Sequence, residues 1–440
     1  MLLSRARART ASVVLSALVA TGLSAPPAQA ASRVTPGSFT GFAFDTCTTP
    51  SNAAMDAWRT SSPFWGVGVY IGGAELSRCT KEAETKLDAA WVSRQAQRGW
   101  RVLPIWVGPQ ADCADDPYTS RIDTRTGSSY AAARSQGAAN AGAAVKRAKN
   151  LGIPAGSTLW YDIEAFDNSV QDCRRSVLSF LSSWTRRLHG LGYTSGVYSS
   201  VASGIHVLDN ADKLSPGSYA MPDQVWYAWA NKRADTVIAT KWVRRTSWMP
   251  HARVHQYVID TYATYGGVRM EIDRNFLDVG RGSVAPRALA TCGVRVDFPD
   301  YRLQRRGMTG AQVEAAQCLL QKKRLYGGRV HGRFDAATVR AVRSFQHGRD
   351  IRVTGSVDAP TWTALLSDGA SPLLKRGSVG DAVRRLQRGL TAALDDRVTV
   401  TGVLDAPTSA AVVRYQRARG LIANGVVAGE TWADLEAGRR

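Results

Sequence analysis

The sequence contains few of the residues that build metal sites or disulfide-rich scaffolds. Its 440 residues include only six histidines and six cysteines. No His-Glu-x-x-His segment occurs, and no pair of cysteines has the spacing of a zinc finger. These absences argue against a secreted zinc peptidase, and we expect neither a metal ion nor any other cofactor.

Acidic residues are scarce relative to basic ones. There are 36 Asp and Glu against 56 Lys and Arg, which gives a formal net charge of +20. From Arg287 to Arg440 the count is 25 basic and 14 acidic residues, a net charge of +11. Such an excess favours an anionic partner. Because no nucleic-acid-binding motif is present, we expect a cell-wall polymer rich in phosphate or carboxylate and no nucleic acid.

Long apolar runs are absent except at the start of the chain. Arginines at positions 5, 7 and 9 precede an apolar stretch from Ala11 to Leu23, and small residues end at Ala28-Gln29-Ala30. This arrangement predicts a signal peptide over residues 1–30, whereas the alternative, a membrane anchor, would need a longer apolar stretch. We therefore expect a secreted, extracellular or cell-wall-associated monomer with no membrane span in its mature form.

All six cysteines follow the predicted cleavage site, where an oxidising compartment favours disulfides. Two of them, Cys292 and Cys318, follow residue 281 and are expected to pair. The other four allow three connectivities, and the sequence does not choose among them. They are Cys47, Cys79, Cys113 and Cys173.

The C-terminal part contains an ungapped repeat with an offset of 70 residues. Gly307 corresponds to Gly377, Gln317 to Gln387, and Thr361-Trp362 to Thr431-Trp432. Apolar residues at helical spacing and Asp-capped starts predict three short helices in each unit. Helical apolar stripes of this kind are usually buried, so we expect the shared apolar residues to form the core of each unit. A metal role for the two histidines at 331 and 347 is not expected, because their counterparts are Thr401 and Arg417.

These features resemble the peptidoglycan-binding domain, a three-helix module of wall hydrolases. The resemblance is carried by Gly332-x-Phe-Asp335, Phe345-Gln346, the following Thr-Gly and the Thr-Trp pair, and it covers residues 300–437. It places one module at 301–368 and a second at 371–437. It implies that peptidoglycan or another anionic wall polymer is the partner.

Residues 38–280 alternate short apolar stretches with amphipathic segments, ahead of a linker at 281–300. Eight such units in about 240 residues predict an α/β fold, a (β/α)8 TIM-like barrel, which the two small three-helix modules follow. The predicted strands are 41–44, 65–71, 102–107, 158–163, 194–198, 225–229, 254–258 and 270–276.

Four acidic residues fall toward the predicted carboxyl ends of these strands. Asp162 and Glu164 are two residues apart on one strand and must share a face, while Asp45 ends the first strand and Asp273 lies in the last. Barrel enzymes keep their sites at this end of the strands, and glycosidic cleavage requires paired carboxylates. The alternative is a set of buried salt bridges to arginines. We predict that the four acids form a catalytic site.

At these residues the sequence resembles the actinobacterial glycoside-hydrolase-like domain, a relative of the family 25 lysozymes. The matching segments span residues 38–280 and keep their order: Gly41–Asp45, Val69–Gly73, Trp160–Glu164, Gly192–Tyr198, Trp226–Trp229, His255–Tyr257 and Ile272–Asn275. One departure is Ile105-Trp106-Val107, where the lysozymes commonly have an aromatic-His-Phe segment.

The resemblance implies roles for individual residues. Glu164 would be the general acid, Asp162 would orient the substrate's N-acetyl group, and Asp45 and Asp273 would complete an acidic floor. The substrate groove would be lined by Tyr70, Tyr198, Trp229 and Gln256.

Two hypotheses of function follow from these patterns. The first is a secreted hydrolase that cleaves peptidoglycan glycan strands in the manner of a muramidase and is anchored by its tandem modules, whose linkage adds avidity. The second is a non-catalytic wall-binding protein with a degenerate barrel. Retaining, inverting and substrate-assisted mechanisms are all compatible with the sequence.

Overall fold

A computed structural model describes residues 34–76 and 87–440 of the chain, so the predicted signal peptide lies outside the described residues. Eight strands close into a barrel in which each strand neighbours the next and β8 returns to β1. The α/β fold class and the barrel are thus confirmed. The strands are β1 (Phe39–Asp45), β2 (Gly66–Gly72), β3 (Arg101–Trp106), β4 (Thr158–Asp162), β5 (Thr194–Ser200), β6 (Gln224–Ala228), β7 (Ala252–Tyr265) and β8 (Val268–Val279).

The last strand departs from a regular (β/α)8 barrel. Strands β1 to β7 are parallel, but β8 runs antiparallel to both β7 and β1. The cause is local, because Gly266 and Gly267 have φ values of 55° and 77° and make a tight turn between two long strands. No crossover helix is needed in such a hairpin. The chain therefore leaves β8 at the amino-terminal end of the other strands, which we call the base of the barrel.

Five described helices lie outside this barrel: α1 (Asn52–Ser61), α2 (Ala89–Gln97), α3 (Ala131–Asn150), α4 (Gln171–Gly190) and α5 (Gly204–Leu214). Strand β4 shows how alternation separates core from site. Tyr161 points outward and packs against Phe180 and Trp184 of α4. Trp160 points inward, where its ring meets that of Trp226. Asp162 follows on the inward face at the end of the strand.

Two disulfides are defined by the described residues. Cys113 pairs with Cys173, which joins the segment after β3 to the first turn of α4. Cys292 pairs with Cys318, as predicted, and ties the linker to the first repeat. Cys47 is also disulfide-bonded, and Cys79 lies outside the described residues.

Each repeat contains the three predicted helices. They are α6 (Ala311–Lys322), α7 (Ala336–Gly348) and α8 (Ala359–Ser367), and then α9 (Asp381–Leu394), α10 (Ala406–Ala418) and α11 (Gly429–Glu436). The residues that define the repeat have structural roles. Gln317 and Gln387 are fully buried, and each receives a backbone N–H from the glycine of its Gly-x-x-Asp segment. Val342, Phe345 and Trp362 are buried, which confirms the core interpretation.

The second repeat is docked on the base of the barrel through the loop that precedes α9. The Lys375 ammonium donates to the Phe64 carbonyl at 2.8 Å and lies 4.6 Å from the centre of the Trp65 ring and 5.2 Å from that of Trp100. Its side chain is fully buried, and burial lowers the pKa of Lys375. The Gly377 carbonyl accepts from the Ser283 hydroxyl at 2.9 Å, next to the end of β8. The corresponding loop of the first repeat, with Arg305, is exposed.

Replacing Lys375 by alanine is expected to loosen this docking. The variant leaves the buried Phe64 carbonyl without its donor, a loss of about 1 to 3 kcal/mol. Calorimetry and limited proteolysis should show a lower unfolding temperature and earlier cleavage near the end of β8. Arg305→Ala changes the equivalent exposed position of the first repeat and is the matched control. Equal behaviour of the two variants would contradict a fixed interface.

None of the described helices is both long enough and apolar enough to cross a membrane.

Candidate active site

Two strand ends and one hairpin bring the four predicted acids together. Asp45 is the last residue of β1, and Asp162 is the last residue of β4. Glu164 follows two residues later, with its backbone N–H bonded to the Gln110 amide oxygen at 2.8 Å. Asp273 belongs to the antiparallel β8, where it lies directly opposite Asp45. All four carboxylates therefore lie at the end of the barrel opposite the base.

One glutamine, Gln256 of β7, connects the carboxylate of Asp45 on β1 with that of Asp273 on β8. The Gln256 amide nitrogen donates to Asp273 at 3.0 Å and lies 3.3 and 3.4 Å from the two carboxylate oxygens of Asp45. Its amide oxygen accepts from the Tyr198 hydroxyl at 2.9 Å, which fixes the orientation of the amide. Gln256 is 1% exposed. It therefore holds two acids and a tyrosine in one connected network.

Asn275 has a similar bridging role one layer deeper. Its amide nitrogen donates to Asp45, and its amide oxygen accepts from the Trp226 indole at 2.8 Å. Asn275 itself is fully buried. The amide nitrogens of Asn275 and Gln256 together donate to both carboxylate oxygens of Asp45.

Burial dominates the electrostatics of the site. It raises the pKa of Asp45 well above its usual range, and the Asp273 carboxylate adds to the effect. Burial also raises the pKa of Asp162, with a further contribution from the Glu164 charge, while a hydrogen bond from the Tyr70 hydroxyl acts in the opposite direction. For Asp273, which is partly exposed, burial raises the pKa to about 6. The site therefore retains protons at pH values where ordinary aspartates are ionised.

Asp162 is further distinguished by a missing partner. Its side chain is buried, yet its Oδ1 atom has no hydrogen-bond partner among the described residues. An unpaired polar atom of this kind costs about 1 to 3 kcal/mol. Such a cost is common where an atom is reserved for a ligand or a reacting group.

The predicted groove residues divide into two sets. Burial is the largest cause of the raised pKa of both Tyr70 and Tyr198. The nearby charges of Asp162, Asp45 and Glu164 raise the pKa of each tyrosine further, so both side chains lie close to the acids. Trp229 lies elsewhere. It is half-buried, stacks on the His255 ring at 6.0 Å between centres and packs with an apolar cluster outside β6. The contacts that define the acid cluster do not involve it.

Two positioning residues were absent from the predicted site. Asn275 belongs to the Ile272–Asn275 segment, and its place two residues after Asp273 on one strand was an available signal. Gln110 gave no comparable signal. It is fully buried after β3, donates to the Asp162 carbonyl at 2.8 Å and accepts from the Glu164 N–H. It thus fixes the backbone that carries both acids of β4.

An open groove of about 690 Å³ leads to two of these carboxylates, Asp45 and Asp273, whereas Asp162 and Glu164 are not among its lining residues. The segment after β1 forms one wall and the β7–β8 hairpin forms the other, with Asp45, Tyr70 and Asp273 at its floor. Polar groups line much of it. Its volume falls within the range of ligand-binding clefts.

A closed eight-stranded barrel with four carboxylates at one end fits a glycoside-hydrolase-like domain, and the family comparison shows that class. The profile of the Rv2525c-like, glycoside hydrolase-like domain matches residues 56–277, and the chain belongs to this family. The profile of the peptidoglycan binding domain matches twice, at residues 309–365 and 379–435. The chain therefore joins a glycoside-hydrolase-like barrel to two peptidoglycan-binding domains, as the sequence predicts.

Several solved structures are similar to parts of the chain. An uncharacterized B. stearothermophilus protein has 19% identity and a TM-score of 0.35, covering 54% of this chain and 95% of its own. The Clostridium perfringens spore cortex lytic enzyme SleM has 13% identity and a TM-score of 0.35, covering 54% and 67%. The SleB N-terminal domain has 30% identity and a TM-score of 0.15, covering 16% and 94%. The comparison with curated proteins found no match.

Proposed function

We propose that this chain is an exported, monomeric cell-wall hydrolase that cleaves the glycan strand of peptidoglycan at a muramic acid linkage. The observation that carries the proposal is the cluster of four carboxylates, with Asp45 and Asp273 joined by Gln256 and with Asp162 and Glu164 carried by one strand end. Glycosidic cleavage needs one carboxyl group that gives a proton and a second that stabilises positive charge.

The roles follow from position and environment. Glu164 lies beyond the end of β4, is less buried than Asp162 and is held by Gln110, so it is the proposed proton donor to the leaving oxygen. Asp162 has an unpaired oxygen at the bottom of the site and is proposed to bind the N-acetyl group of the sugar at the cleavage point. Asp273, whose pKa is raised only to about 6, is proposed to supply negative charge beneath the oxocarbenium ion that develops, and Asp45 lies opposite it and completes the acidic floor. Tyr70, Tyr198 and Gln256 hold these groups in place.

The two peptidoglycan-binding domains are proposed to hold the barrel on the wall. The second one is fixed to the base, so its anchoring and the cleavage site lie at opposite ends of the barrel. The net charge of +20 favours an anionic wall rather than nucleic acid as the partner, because no nucleic-acid-binding motif accompanies the charge. Export and location at the wall are consistent with the disulfides.

The proposal is tested by incubating the full chain with purified peptidoglycan. New reducing ends and new free amino groups are measured in parallel, and sedimentation with the insoluble wall reports binding. We expect reducing ends without new amino groups, and their loss in the double variant Asp162→Asn, Glu164→Gln. Sedimentation without any reducing ends would establish the non-catalytic alternative. Amino groups without reducing ends would indicate a peptidase or amidase.

A further inference from the structure

A second large concavity lies on the outer surface of the barrel, between α4 and α5. It has a volume of about 830 Å³, larger than the groove at the acid cluster. One wall is a ridge of α4 formed by Arg174, Leu178, Ser182 and Arg186, and the facing wall is formed by α5. The segment around Tyr130 and the stretch from 215 to 219 contribute to the rest of the lining. We call it the arginine groove.

The charge of the arginine groove is unbalanced. Four arginines line it, at positions 134, 174, 175 and 186, and no aspartate or glutamate does. Elsewhere in the described part of the chain many arginines pair with carboxylates, as Arg244 does with Asp209 at 2.8 Å. None of the four groove arginines forms an ion pair with a described residue. Asp172 lies beside the groove without lining it: its carboxylate accepts from the Tyr130 hydroxyl at 2.7 Å, and Arg175 contacts the same hydroxyl.

The contacts of these arginines leave donors available. Arg174 and Arg134 donate to backbone carbonyls of neighbouring loops, which orients them without neutralising their charge. Arg186 makes no hydrogen bond through its side chain to any described residue. The positive charges are thus spread along the groove rather than gathered at one point, and no carboxylate among its lining residues offsets them.

The spacing and the polar lining indicate the chemistry of the ligand. Arg174 and Arg186 are twelve residues apart on one helix, which places them about 18 Å apart along its axis. A single small anion cannot reach both, whereas a linear polymer with repeated charges can. Guanidinium groups match phosphate oxygens with two parallel hydrogen bonds. Hydroxyl groups that line the same groove suit the hydroxyls of a polyol, and they come from Ser129, Ser179, Ser215 and Ser218.

We infer that the arginine groove is a binding site for a linear polyol-phosphate polymer, the phosphate-rich component of an anionic wall. The site is separate from the acid cluster, and none of the carboxylates there lines it. It would give the barrel its own contact with the wall, in addition to the two C-terminal domains. The barrel would then be held beside the phosphate polymer while its other groove takes the glycan.

The test is a titration of the full chain with a glycerol phosphate oligomer of defined length. Calorimetry is used to compare the native protein with the double variant Arg174→Gln, Arg186→Gln. We expect the variant to lose at least tenfold in affinity and to show a weaker dependence on salt. The matched control is Arg187→Gln, Arg245→Gln, which removes the same charge from two exposed arginines that do not line the groove. The control should stay within about twofold of the native affinity.

Further arms separate the possible results. Thermal unfolding of each variant verifies that the fold is retained, and Arg174→Lys, Arg186→Lys should recover only part of the affinity because lysine lacks the planar fork. Equal losses in the groove variant and the control would overturn the inference, because general attraction would then explain binding. Equal or tighter groove-dependent binding of poly-glutamate or of a single-stranded oligonucleotide would overturn the assignment to a polyol phosphate.

Discussion

The Glu164→Gln variant is expected to release reducing ends from peptidoglycan about 10² to 10⁴ times more slowly than the native protein. Glutamine has nearly the same shape as glutamate, and the backbone at this position stays bonded to Gln110. The variant therefore keeps the geometry and loses only the proton. The measurement is the initial rate at saturating wall, with sedimentation as the readout of binding. Binding should not change, because the two C-terminal domains are unaffected.

The matched control for Glu164→Gln is Asp167→Asn. Asp167 lies three residues further along the same segment and is exposed, and among the described residues its side chain accepts hydrogen bonds from its neighbour Ser169 alone. Its amide variant should cleave the wall at the native rate. A Glu164→Gln variant as active as this control would contradict the proton-donor role. In that case Asp273, whose pKa is raised to about 6 by burial, would become the better candidate for the acid.

The sequence was sufficient to predict the barrel because alternation and turn residues are local signals. All eight predicted strands are present, although β4 ends at Asp162, so Glu164 lies just beyond the strand on which the sequence places it. The direction of β8 was not predicted. The pair Gly266-Gly267 indicates a tight turn, but a turn signal alone does not show that the strands on both sides continue long enough to pair.

Long-range packing explains what sequence reasoning could not predict in the candidate site. Gln110 lies more than 50 residues before Glu164, and only the barrel brings them together. The family resemblance implies that Trp229 lines the groove, but its ring packs with the apolar cluster outside β6 and stacks on His255. The docking of Lys375 is similar. Its counterpart Arg305 precedes the same Arg-Gly pair and is exposed, so the short pattern shared by the two loops does not show which repeat meets the barrel.

The Asp162→Asn variant is expected to change activity and stability in opposite directions. Loss of the group proposed to bind the N-acetyl substituent should reduce cleavage by about 10² or more. The free energy of unfolding at pH 7 should rise, because the native state holds this carboxyl in a buried position that raises its pKa. Each kcal/mol gained would raise the unfolding temperature by about 2 to 4 °C in a domain of this size.

The pH dependence of the free energy of unfolding determines the direction of the stability change expected for Asp162→Asn. A carboxyl whose pKa is raised on folding contributes stability only where the unfolded chain also keeps its proton, below about pH 4. As the pH rises above that value, the unfolded state ionises and the native state does not, so the contribution is lost. Asparagine has no proton to lose. The advantage of Asp162→Asn should therefore be largest near neutral pH and should vanish near pH 3 to 4.

The Asp45→Asn variant is the control that separates the stability gain at Asp162 from a general effect of replacing a buried carboxyl group. Burial raises the pKa of Asp45 as well, but both of its oxygens accept hydrogen bonds from the Gln256 and Asn275 amide nitrogens. An asparagine there would place an N–H group against another N–H donor, so we expect no gain in stability at neutral pH. If Asp162→Asn is no more stable than Asp45→Asn at pH 7, the unpaired oxygen of Asp162 is not the strained element of the site. If Asp162→Asn is more stable than Asp45→Asn only near neutral pH, the native protein keeps the Asp162 carboxyl at a cost in stability, and the role of Asp162 in the site explains that cost.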